Sequence, residues 1–172
     1  LGRPEHLQLT TAMFQQMAKL LGEAVPDLGV HLAGDSAALS ARADAPGREQ
    51  KGLPQPDGAT KQYLDEAGKV VKSYQWFGYK FHLLVDAAHE VVLAFKLSSA
   101  SAADSVQLPD LLDQAQRVLP AGRIKTLAYD KAADNEPVHS LLGGHGIRPV
   151  MEVRNIWKDK QEEVIGGKVV HD

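Results

Sequence analysis

The chain has 172 residues, 44% hydrophobic and 24% charged, with a net charge of −3 and no cysteine. That is enough for one domain with a sizeable core, it excludes disulfides and thiolate metal sites, and the acidic balance argues against a domain dedicated to coating nucleic acid. No apolar stretch approaches the roughly 20 residues that span a bilayer, the N-terminal run LGRPEHLQLTTAMFQQ is too polar for a signal peptide, and a reducing cytoplasm is the default compartment.

The chain opens on Leu rather than Met, as a piece of a longer protein would. Residues 6–24 follow a helical period, with Leu7, Met13, Met17, Leu20 and Leu21 as the apolar stripe, and Pro26 stops them. GVHLAGDS reads as a buried strand of about five residues that ends at Asp35. Residues 40–72 are punctuated by Pro46, Gly47, Gly52, Pro54, Pro56, Gly58 and Gly68. They predict a long irregular excursion with a weak hairpin around Asp65–Gly68, and loops of that length are usually functional or disordered. Residues 51–80 hold five lysines against three acidic residues. Such a basic loop can contact phosphates, and reads equally as a solvated loop.

WFGYKFHLLVDAAHEVVLAFKLSSA predicts an antiparallel hairpin. Tyr79, Phe81, Leu83 and Val85 alternate with Lys80, His82 and Leu84; Asp86 and Glu90 belong to the turn; Val91, Leu93, Phe95 and Leu97 form one face of the second strand. Residues 104–119 predict a helix with Asp104 as N-cap and Val106, Leu108, Leu111, Leu112, Ala115 and Leu119 as its stripe. Pro109 sits in its first turn or marks a broken start. RIKTLAYD is then a strand, NEPVHSLLGGHG a short helix capped by Asn135, IRPVMEVR a strand, and the tail a loop with the start of a hairpin.

This order makes a mixed α/β sheet of about five strands with flanking helices. Crossovers would set the strands of Asp35 and Asp130 parallel and adjacent, with both carboxylates beyond the strands' carboxyl ends, where such sheets keep active groups. Two converging carboxylates resist joint ionisation unless a cation lies between them. The pair therefore points to a divalent metal and to metal-assisted phosphoryl chemistry. Aspartates also end strands and cap turns for purely structural reasons. Ser36 reads as the start of a turn and Asp134 as a cap for the following helix. The seven histidines show no zinc-like spacing.

The segments GDSAALSAR, WFGYKFHLLVDAAHEVVLAFKLSSASAADS and TLAYDKAADNEPVHSLLGGHGIRPVMEVRNIWKDKQEE carry a further signal in their order and spacing. Together, over about residues 30–163, they resemble the catalytic domain of DDE-type insertion-sequence transposases. The resemblance implies a ribonuclease H-like fold, with residues 1–28 an N-terminal helical segment and 29–172 a partial DDE core. By position, Asp35 is the first catalytic aspartate and Asp130 the second, both ligands of Mg2+ (or Mn2+). The implied partners are transposon-end and target DNA and further copies of the chain, with no membrane, in a bacterial cytoplasm. Lys80, His82 and Lys131 would face DNA phosphates, although a solvated sheet face explains the first two as well. Trp76 and Trp157 either stack on bases or pack beneath loops.

The family's third carboxylate, a glutamate in a Tyr-x-x-Arg-x-x-x-Glu-like setting, has no counterpart before Asp172; Glu162 and Glu163 stand in another context. Ala132 and Ala133 replace the usual Gly-Tyr after Asp-Lys. Divalent-metal-dependent DNA cleavage and strand transfer are thus implied for the parent protein. Two other readings stay open: a remnant or fragment that folds without catalysing, and another ribonuclease H-like nuclease.

Overall fold

One long strand organises the sheet in the computed structural model, which describes residues 4–41, 54–65, 68–130, 134–151, 163–165 and 168–170. This strand, β3 (Val70–Asp86), changes partners along its length. Its outer half pairs antiparallel with β2 (Asp57–Leu64), from Leu64↔Val70 to Asp57↔Gly78. Its inner half lies between β1 (His31–Ser40) and β4 (Val92–Ser99), antiparallel to both. Gly78 is the junction, since it faces Asp57 of β2 and Ser40 of β1. β5 (Thr126–Tyr129) joins β1 in parallel, and β6 (Arg148–Met151) joins β5 in parallel. The six strands make the mixed α/β sheet expected from the sequence, one strand more than anticipated. The tail adds a separate antiparallel ribbon, β7 (Glu163–Ile165) with β8 (Lys168–Val170).

Three helices accompany the sheet: α1 (Pro4–Ala24), α2 (Asp104–Val118) and α3 (Glu136–Gly144). α2 supplies most of the core. Leu108, Leu111, Leu112 and Ala115 are buried together with Leu32, Leu84, Ala94 and Leu127 of the sheet. Val106, read as part of its stripe, is exposed, and Pro109 lies inside the helix rather than at its start. α3 begins at Asn135, whose side chain accepts from the Val138 N–H at 3.1 Å, and buries Val138 and Leu142. That bond satisfies one of the four unpaired N–H groups at a helix start.

The expected stripe of α1 faces outward: Met13, Met17, Leu20 and Leu21 are exposed. The helix seats itself through Phe14, Ala18 and Gly22 instead. The Phe14 ring meets Phe95 edge-on at 4.9 Å, and Ala18 is only 2% exposed. Short side chains let a helix approach closely, so packing overrode the larger apolar residues beside them.

β1 is 10 residues long, not about five, so Asp35 stands in mid-strand and Ser36 makes no turn. The run AGDSAALS has little intrinsic strand preference; pairing with β3 from Leu32↔Asp86 to Ser40↔Gly78 imposes it. β3 likewise begins at Val70, before the expected Trp76. Within the supposed irregular excursion at 40–72, β2 and the start of β3 form a regular hairpin, closed by hydrogen bonds between Asp65 and Lys69 and from Gly68 to Asp65, where a weak hairpin was expected.

Candidate functional site

β1 and β5 pair in parallel through His31↔Thr126, Leu32↔Leu127 and Ala33↔Ala128. Continuing that register by two residues sets Asp35 level with Asp130, which directly follows β5. The two aspartates, far apart in the chain, thus occupy neighbouring positions at one end of one sheet. Parallel neighbours run roughly 4.8 Å apart. Both are exposed. One oxygen of Asp35 accepts the Ser36 N–H at 2.7 Å.

The missing side chain of Gly34 leaves room for the Tyr129 ring. A Cβ at this position would lie 2.1 Å from the Tyr129 ring and 2.9 Å from Leu84. Tyr129 covers Gly34 and is itself buried. Its phenol is held above its usual pKa, first by burial, then by the charges of Asp104 and Asp35.

Asp104 is the residue that sequence reasoning misassigned. Ala103 is the N-cap of α2, and Asp104 stands one position into the helix. Its carboxylate turns toward the sheet rather than capping. Ser36 Oγ donates to it at 3.1 Å, Lys80 Nζ lies at 3.3 Å, and His82 Nδ1 also lies at 3.3 Å, within ion-pair range but without hydrogen-bond alignment. Burial pushes the Asp104 pKa up. The His82 contact, the Lys80 charge and the Ser36 hydroxyl outweigh burial together and hold it below the ordinary carboxylate value. A carboxylate in the first helical turn also suits the helix dipole. The signal was present in the sequence. Lys80 and His82 lie in one segment that carried the resemblance and Asp104 at its far end, and folding joins them.

His82 therefore does not reach DNA phosphates. It is 0% exposed, with Nε2 2.7 Å from Ser98 Oγ, and the solvated-face alternative fails with it. The Lys80–His82–Leu84 face, read as the polar one, is the face that α2 covers. Lys80 keeps partial exposure. Its ammonium donates to the Ala102 carbonyl at 2.7 Å and lines a cavity of about 590 Å³ with Ser36, Asp104 and Asp130. Strand alternation puts Asp35 on the other face of β1 from Ser36, and Asp35 does not line that cavity. Lys131 and Trp157 lie outside the described residues.

Other acidic residues hold the frame. Asp86, 1% exposed, accepts from the backbone of Gly29 at 2.7 Å, Ala88 at 3.0 Å and His89 at 2.6 Å, tying the β3–β4 turn to the entry of β1. Asp134 does not cap α3, a role filled by Asn135; it meets His139 Nε2 at 2.7 Å.

A family model described as "Transposase DDE domain" matches residues 48–168, more than half of the chain. The chain belongs to the DDE transposase family. The match includes Asp130 and begins after Asp35. No curated protein matches this transposase domain by sequence. Among solved structures it is similar to the Mos1 mariner paired-end complex with Mn, at 14% identity and a TM-score of 0.42 over 81% of this chain and 40% of that one. A pre-cleavage Mos1 transpososome aligns at 13% identity, TM-score 0.41, over 81% and 41%. The HTLV-2 integrase catalytic core domain in complex with magnesium aligns at 16% identity, TM-score 0.35, over 58% and 61%. The domain thus spans about two fifths of the length of the Mos1 chains. Its mixed six-stranded sheet with flanking helices is of the α/β class expected from the sequence. Among the described residues no helix is long and apolar enough to cross a membrane.

Proposed function

We propose that this domain is part of the catalytic core of an insertion-sequence transposase that cleaves DNA strands and joins them to a target, using Mg2+ or Mn2+ held at Asp35 and Asp130. The observation that carries this reading is the parallel pairing of β1 with β5, which sets the two aspartates side by side. Their donor chemistry fits. Both offer hard carboxylate oxygens, and magnesium takes one or two carboxylates while keeping several waters. Among the described residues no group of three His, Asp or Glu side chains gathers as a metal site. A bound cation would supply Lewis-acid activation of a water or 3′-hydroxyl at a phosphodiester.

The chain's own groups then hold and orient. Asp35 is fixed by the Ser36 N–H. Tyr129 packs over Gly34, the residue before Asp35. Lys80, tethered to Ala102 and Asp104, contributes positive charge to the cavity that Asp130 lines, and Lys131, next to Asp130 in the sequence, is a further candidate phosphate contact. In this reading residues 1–28 are the helical segment and 29–172 the partial core. DNA ends, target DNA and further copies of the chain are the partners, in a bacterial cytoplasm. A second reading, a piece that folds without catalysing alone, is favoured by Ala132 and Ala133, which replace the family's usual Gly-Tyr after Asp-Lys.

Calorimetric titration of Mg2+ and Mn2+ into the domain and its Asp35→Asn and Asp130→Asn variants tests the site. Weak binding that disappears in both variants is the expected result; equal binding in all three removes the aspartates from it. Little strand transfer is expected from the 172-residue chain, and efficient joining of DNA ends by it would overturn the second reading.

A further inference from the structure

The β2–β3 arm carries rings and cations on a face that no helix core covers. Cross-strand neighbours there are Lys61↔Tyr74, Tyr63↔Lys72 and Ala59↔Trp76, all on one side because register partners share a face. Tyr74 and Trp76 stack with centroids 5.7 Å apart and planes 22° from parallel. Trp76 Nε1 donates to the Tyr79 carbonyl at 3.1 Å, which fixes the indole. The ammonium groups of Lys61 and Lys72 each lie 5.7 Å from the Tyr63 centroid. Tyr63 is 44% and Tyr74 45% exposed. Two of the acidic groups facing this side are engaged, Asp57 by the N–H and hydroxyl of Ser101 and Asp104 by Lys80; Asp130 stands further along the same cavity. The same face continues through Lys80 into the cavity of about 590 Å³ that Asp130 lines, a volume in the range of small-ligand sites.

We propose that this face binds an unpaired nucleotide segment of a DNA strand, stacking a base on the Tyr74–Trp76 pair and setting phosphates against Lys61 and Lys72. The inference rests on the DNA-processing reading and adds to it the form of DNA held along the cavity that Asp130 lines. Bases in a duplex are already stacked on each other. A flat, fixed pair of rings on a protein surface is therefore open only to a base that has left the stack. Alternating cations answer the phosphates of the same strand. A partner protein would not need this pairing of ring and charge, and stays as an outcome of the test.

The chain holds two tryptophans, so Trp157→Phe leaves Trp76 as the single reporter. This protein is titrated, in EDTA, with a dT oligomer and with a duplex of equal length, and Trp76 fluorescence is followed. Quenching with several-fold preference for the single strand is expected. Tyr74→Ala should weaken binding about ten-fold while Tyr74→Phe, which keeps the ring, should not. The Lys61→Ala/Lys72→Ala pair should flatten the salt dependence by about 1.4 in logarithmic slope. Tyr63→Ala gives a second exposed probe, with a loss in the same direction; circular dichroism checks that each variant is folded. No quenching, equal affinity for duplex, or an unchanged Tyr74→Ala would overturn the proposal. Calorimetry of metal binding separates the two readings. Single-strand binding without metal binding supports this inference and sinks the metal site; metal binding without single-strand binding does the reverse.

Discussion

Lys72 and Lys80 stand on the same strand and the same face, yet meet opposite surroundings. Lys80, in the inner half of β3, is flanked by β1 and β4, and its ammonium is bound to Asp104 and Ala102 under α2. Lys72, in the outer half, pairs with β2 and lies exposed over a tyrosine ring. The alternation along β3 hardly changes at Gly78, whereas the cover does. His82, Leu84 and Asp86 are buried on the inner half, while Lys72 and Tyr74 on the outer half are open. Burial along one strand is thus decided by what lands on it, and the two halves divide the work. The inner half supports the carboxylate end of the sheet, and the outer half offers rings and cations.

The largest expected effect comes from the junction. Gly78 has φ 151°, and a Cβ there would lie 2.2 Å from the Leu39 carbonyl oxygen and 2.6 Å from the Ala41 nitrogen, both backbone atoms that cannot step aside. Gly78→Ala should cost about 4 kcal/mol, strain and overpacking together, measured by urea unfolding. A cost below 1 kcal/mol would mean that the two halves are not locked at this residue.

Asp104 comes next. Asp104→Asn leaves Lys80 and His82 facing a neutral amide and should cost about 2 kcal/mol at neutral pH. The pH dependence carries a definite sign. The folded pKa lies below the unfolded value of about 4, so the unfolded chain takes up the proton first as pH falls. The contribution is therefore fully present above that value and is lost as pH drops through the folded pKa. Unfolding free energies between pH 6 and pH 3 should fall more steeply for the wild type than for Asp104→Asn; parallel curves would detach Asp104 from the acid limb.

The smallest effect belongs to the outer half. Tyr74→Ala should change stability by less than about 0.5 kcal/mol, as exposed positions do, although the same change is expected to weaken DNA binding. A cost near that of a core truncation would show that the arm's rings serve the fold.

Much of the fold was legible because local chemistry punctuates it. Pro26, Asn135 and the apolar stripe of α2 fixed helices within a residue or two, and the β3–β4 hairpin followed from alternation around DAAHE. Asp130 follows β5 as the apolar run before it suggests, whereas Asp35, expected at a strand end, stands in the middle of β1. The face of β3 that would be buried was not legible, because Lys80 and His82 look solvated until α2 brings Asp104 over them. The outward stripe of α1 was unreadable for a related reason: the larger apolar residues promised the contact, and small ones made it.

The amino-acid pattern by itself determined the three helices, the β3–β4 hairpin, the strands β1, β5 and β6, and the family, since periodicity, turn chemistry and spacing are local properties of the chain. Tertiary structure alone decided that Asp104 holds Lys80 and His82, that β3 has a covered half and an open one, and that rings and lysines line up on the open half. Those outcomes depend on which surfaces come to lie together, and residues distant along the chain reveal that only once the sheet and α2 have closed on each other.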